Sequence, residues 1–120
     1  MSKQENDALE LLPLPPVTFH ILLILAEGER HGYGIIQDVL AYTDGTMRIQ
    51  PGTLYRSIQR MLEQGLIAER STRPAIGEDD ERRRYYRITA RGRAVALAEA
   101  RRLERSLVLA RRNGLVPSKG

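Results

Sequence analysis

Five side chains within QPGTLYRSIQRMLEQGLI (residues 50–67) could do recognition chemistry: Thr53, Tyr55, Arg56, Gln59 and Arg60. Each can hydrogen-bond, and no acid interrupts them before Glu63. Arginine pairs bidentately with guanine and glutamine with adenine, each good pair giving roughly 1–3 kcal/mol of discrimination against a wrong base. Arg56 and Gln59 stand three apart on a helix and share a face, with Tyr55 flanking it. Arg60 suits a backbone phosphate. Gln50, Gly52 and Thr53 stand where the stretch opens. Free backbone N–H groups and the helix dipole favour a phosphate there, and the Thr53 hydroxyl adds a contact. Tyr55 has a plainer reading beside this one: a tyrosine next to Leu54 can simply pack at the helix edge.

Such chemistry needs a helix anchored on its other side. Leu54, Ile58, Met61 and Leu62 recur at helical spacing and supply that anchor. Pro51 suits the first turn, where a missing N–H costs nothing, and Gly65 suits the position just past the end. An ordinary amphipathic surface helix has the same pattern, so the flanking elements decide between the two.

Upstream, PVTFHILLILAE (16–27) predicts a first helix, apolar on nearly all sides and therefore central to the core. After the turn GERHGYG, a second helix is expected over Tyr33–Tyr42, with Ile36, Val39 and Leu40 as its apolar stripe. Downstream, Leu66–Arg73 and Arg83–Ile88 predict two strands of a β-hairpin with a long polar tip, PAIGEDDE. Thr89 is a good N-cap for a long helix stopped at Gly114. Ala96, Ala100, Leu103, Leu107 and Ala110 alternate gaps of four and three along it, a heptad seam that predicts pairing with a second copy. The expected organisation is a tail with a short segment at 1–13, a helical domain with its hairpin at 14–88, a dimerisation helix at 89–114 and a tail at 115–120.

The order helix, helix, helix, strand, strand, long helix is the winged helix-turn-helix plan. The fold class expected is mainly α with a small β-hairpin, plus the long C-terminal helix. The hairpin is then the wing. Its Arg73, Arg82, Arg83 and Arg84 suit a phosphate backbone or a minor groove. A solvated hairpin tip explains them as well, and the acidic run Glu78–Asp79–Asp80–Glu81 argues for caution.

Here the residues also resemble a known family. GYGIIQDV, PGTLYRSIQRMLEQGLI and RRYYRITARGR are similar to the signature blocks of the PadR family of transcriptional regulators. The resemblance covers about Leu14 to Gly92 and in kind the last helix. It implies a homodimeric DNA-binding repressor of the subgroup with a short single C-terminal helix. It also implies release by a small-molecule effector, the family commonly sensing aromatic or lipophilic molecules. No ligand-binding residue is carried over.

Composition bounds these readings. A chain of 120 residues supports one domain, and 42% hydrophobic residues supply its core. The net charge of +4 and pI of about 9.8 are compatible with a polyanionic partner such as double-stranded DNA. Of 19 basic residues only Lys3 and Lys119 are lysine, which suits bidentate contacts but follows equally from a GC-rich genome. No cysteine is present, no apolar run reaches the roughly 18 residues of a membrane span, and the N-terminus lacks a signal-peptide pattern. A cytoplasmic protein without a membrane partner is expected. His20 and His31 have no second histidine, cysteine or acid placed for catalysis or metal ligation, so no enzyme, metal or cofactor is implied. The remaining alternative is a winged-helix module that contacts other proteins and binds no DNA.

Overall fold

The computed structural model describes residues 8–71 and 84–117, with Ser71 as backbone only. After a helical turn at residues 8–10 come α1 (Pro16–Glu27), the two-residue strand β1 (Arg30–His31), α2 (Gly32–Tyr42), α3 (Pro51–Glu63), β2 (Ile67–Ser71), β3 (Arg84–Ile88) and α4 (Ala90–Arg112). The three strands form one antiparallel sheet in the order β1-β3-β2.

α1 begins at Pro16 and buries Thr18, Ile21, Leu22, Ile24 and Leu25, as expected of a central helix. α2 buries Gly32, Ile35 and Val39 against it, and Ile36 packs beside them. α3 contributes Leu54, Ile58 and Met61, all essentially inaccessible. Burying each such side chain contributes about 1.5–3 kcal/mol. Gly65 has φ +73°, the left-handed conformation that ends a helix without a Cβ clash, and the next residue, Leu66, is already core.

The sheet differs from the sequence expectation. The turn GERHGYG contains a strand: Arg30 and His31 pair with Tyr86 and Tyr85, so the hairpin is the larger part of a three-stranded sheet. A two-residue strand has no alternation to read; its partner, 54 to 56 residues away, creates it. Part of the N-terminal segment joins the core. Ala8 and Leu14 are buried, and Leu11 and Leu12 pack on the same core.

α4 is capped by Thr89, whose Oγ1 accepts the Gly92 N–H at 3.0 Å. The Thr89 hydroxyl also meets the Gly65 carbonyl at 2.6 Å, and the Thr89 N–H donates to the Leu66 carbonyl at 3.1 Å. A Cβ on Gly92 would lie 2.1 Å from the Leu66 oxygen. The first turn of α4 is thereby pressed onto the end of α3. Further along, α4 buries Val95 and Glu99, and Ala96 packs against the same core. From Leu103 to Leu109 every residue is exposed.

Candidate nucleic-acid interface

α2, the turn at 43–50 and α3 form a helix-turn-helix, and α3 shows its polar face to solvent. Gln50, Gly52, Tyr55, Arg56, Gln59 and Arg60 are exposed, and Thr53 is half-buried. The turn positions them through local hydrogen bonds. The Thr43 hydroxyl donates to the Val39 carbonyl at 2.6 Å and accepts the Met47 N–H at 3.1 Å. Ile49, 3% exposed, then anchors the chain just ahead of α3.

The first turn of α3 is uncapped. Gln50 makes no side-chain cap, Pro51 has no N–H, and no acid stands in that turn. The N–H groups of Gly52 and Thr53 thus sit at a positive helix end. Arg56 folds back toward this end. Its Nη2 donates to Thr53 Oγ1 at 3.4 Å, and its Nη1 lies 3.4 Å from where a Gly52 Cβ would stand. Gln59 donates to Glu63 Oε1 at 3.3 Å, a long bond that a better acceptor can displace. The Arg60 side chain is exposed without an ion pair or hydrogen bond among the described residues. Arg48, just ahead of α3, is exposed in the same way; it had not stood out in the sequence because a lone arginine in a turn carries no periodic signal.

Tyr55 does more packing than its neighbours. Its hydroxyl and ring cover Gly32, the first residue of α2, where a Cβ would lie 2.8 Å from the hydroxyl oxygen. The side chain remains 48% exposed, so it keeps a face toward solvent. On the wing, Tyr86 is buried behind it. Its phenol is raised above the ordinary value by burial, then by Glu69 and Tyr55, with Arg84 opposing, so it stays protonated at neutral pH.

The wing base is laced by ion pairs. Arg84 reaches Glu69 at 3.3 Å, and Arg70 reaches Glu29 at 2.8 Å, tying β2 to the segment ahead of β1. Arg87 is exposed on β3. Arg73, Arg82, Arg83 and the acidic run at 78–81 lie outside the described residues.

Both histidines have structural surroundings. His31 caps α2: its Nδ1 accepts the Gly34 N–H at 3.0 Å, and its ring meets Tyr85 edge-on at 5.8 Å. Sequence reading missed this cap, since it placed the helix start one residue late. His20 faces Tyr42 at 5.3 Å, and burial lowers its pKa. Among the described residues no group of three His, Cys, Asp or Glu could hold a metal ion, and no helix is long and apolar enough to cross a membrane.

The seam residues divide. Ala96 faces the chain's own core; Ala100, Leu103 and Leu107 are exposed, and Ala110 is half-buried. Large apolar side chains around them are also bare: Leu97 at 52%, Val108 at 49% and Leu109 at 55%.

The fold is shared with known regulators. A transcriptional regulator from Clostridium thermocellum superposes with a TM-score of 0.67 at 28% identity, over 80% of this chain and 87% of that one. PadR of Bacillus subtilis, solved in complex with operator DNA, matches with a TM-score of 0.58 at 21% identity, a likeness of fold alone. That match covers 68% of this chain and 44% of the larger protein. In sequence, the chain is 35% identical over 88 residues to the transcriptional regulator Rv3488 of Mycobacterium tuberculosis, 73% of this chain and 76% of that protein. The pattern of the transcriptional regulator PadR-like family matches residues 21–98, and the chain belongs to that family.

Proposed function

We propose that the chain binds double-stranded DNA as a homodimer and represses transcription from a roughly palindromic operator, with a small-molecule effector releasing it. The observation that carries the reading is α3: three buried side chains hold it, and a polar face with no acid before Glu63 and an uncapped N-terminus points outward. The likeness in fold to a protein solved with its operator supports the same use. In this reading Gly52, Thr53 and Arg56 meet a phosphate or an adjacent base, Gln59 reads a base edge, and Arg48 and Arg60 meet the phosphate backbone. Arg73, Arg82 and Arg83 of the wing track the flanking backbone. Bare large apolar side chains from Leu103 to Leu109 supply the dimer contact, and paired α3 helices enter successive major grooves about 34 Å apart.

The test is Arg56→Ala on an operator selected from genomic DNA. Specific affinity should fall by about 1–3 kcal/mol with the fold and melting temperature unchanged. Wild-type binding should weaken steeply with salt, with a log–log slope set by the number of phosphates met. Absence of retention on heparin and of any salt slope on random duplex would favour a protein-contact module instead.

A further inference from the structure

Glu99 is 1% exposed, a carboxylate among apolar side chains where α4 meets the N-terminal segment. Burying a carboxylate is strongly unfavourable unless it is paired and hydrogen-bonded. Both conditions hold. The Leu14 N–H donates to its Oε2 at 2.7 Å, across 85 residues of chain, and Arg102 Nε donates to its Oε1. Yet buried charges are poor stabilisers, since well-packed apolar replacements often hold a fold equally well. What a carboxylate adds is direction. The N-terminal segment otherwise packs through Ala8, Leu11, Leu12 and Leu14, apolar groups of the core that tolerate sliding; a charged hydrogen bond does not.

The position of this bond gives it a mechanical consequence. α4 is already tied to the end of α3 through Thr89, Gly65 and Leu66. Glu99 lies ten residues further along, about 15 Å at the rise of an α-helix. Leu14 stands two residues before α1, the helix on which both α3 and α4 pack. Val95 and Ala96 hold α4 between these points by apolar packing, and Glu99 adds a directional tie at the far end, so that two directional ties set the direction of the helix axis. We propose that Glu99 is a positioning residue that fixes the angle between α4 and the winged domain, and through it the distance between the two recognition helices of the dimer. This rests on the dimeric DNA-binding reading above.

The experiment measures binding to operators whose half-sites are moved apart one base pair at a time, for wild type, Glu99→Gln and Glu99→Leu. Melting temperature, oligomeric mass and hydrogen exchange at the Leu14 amide are followed in parallel. Glu99→Leu should remain folded and dimeric, lose protection at Leu14, and lose about tenfold or more in affinity for the best spacing, as for one lost hydrogen bond to a charged group. Its affinities for the other spacings should fall less, so the spacing profile flattens. Glu99→Gln, which keeps an acceptor for Leu14, should keep most of the profile and remains readable if the leucine variant does not fold. An unchanged profile in a folded Glu99→Leu overturns the proposal, as does a loss equal at every spacing. If Glu99→Leu does not fold, a Glu99→Gln with Leu14 protection lost and the profile unchanged overturns it as well. A wild type that binds no operator at all overturns the dimeric DNA-binding reading, and with it this one.

Discussion

The two halves of α4 are built from the same residue types, alanine, leucine and arginine, and have opposite surroundings. The half before Arg102 presses Gly92, Val95 and Glu99 into its own domain. The half after it shows Leu103, Leu107, Val108 and Leu109 to solvent at 36–55% exposure. Small residues mark the first half because a backbone approaches there: Gly92 lies against the Leu66 carbonyl. Large apolar residues mark the second, where nothing among the described residues covers them; in the dimeric reading proposed above they are the surface offered to a second copy. One helix thus serves as a bracket at one end and as an open seam at the other.

The sharpest way to break this contrast is Gly92→Ala. The new methyl would collide with a backbone oxygen that cannot turn aside, and the joint between α3 and α4 must open. A loss of about 3 kcal/mol or more is expected, read as a drop in denaturation midpoint. Ala100, eight residues further along, is exposed, and Ala100→Ser should leave the stability of the protomer within about 0.5 kcal/mol.

Leu103→Glu tests the other half. The protomer should melt almost unchanged at its winged domain, while the mass by light scattering at micromolar concentration falls from dimer to monomer. A wild type that is already monomeric under those conditions would remove the seam.

A smaller effect separates the halves by pH. The hydrogen bond from Arg102 holds the Glu99 carboxyl below the ordinary carboxylate range, helped by the Leu14 N–H and the Arg102 charge, and opposed by burial. Its folded-state pKa is therefore depressed. The stability it contributes is present above the ordinary carboxylate pKa and is lost as pH falls through the depressed value. Glu99→Gln should flatten that acid-side decline in unfolding free energy and leave the neutral-pH dimer mass unchanged.

Much of this architecture could be read from local rules. Pro16, Pro51, Thr89 and Gly65 punctuate their helices where capping and backbone sterics put them. Leu54, Ile58 and Met61 recur at helical spacing and are buried as that spacing requires. The polar face of α3 is exposed for the same reason. Other features depend on residues far apart in the chain. β1 exists because Tyr85 and Tyr86 pair with it. Gly92 looks like an unhelpful residue near a helix start until Leu66 is placed against it. Glu99 meets its Leu14 amide from the other end of the chain, a partner that no local pattern announces. Tyr55 keeps both of its readings, as its hydroxyl end lies against Gly32 while about half of the side chain stays exposed.

The sequence by itself determined the helices, the caps at Pro16, Pro51 and Thr89 and the apolar face of α3, because period and capping are set within a few residues. It also carried the blocks that mark the family. Only the tertiary structure decided how α4 is divided between its own domain and open solvent, and which acid is buried at that division. A heptad pattern reports that a stripe is apolar, but what covers the stripe depends on where distant parts of the chain come to rest.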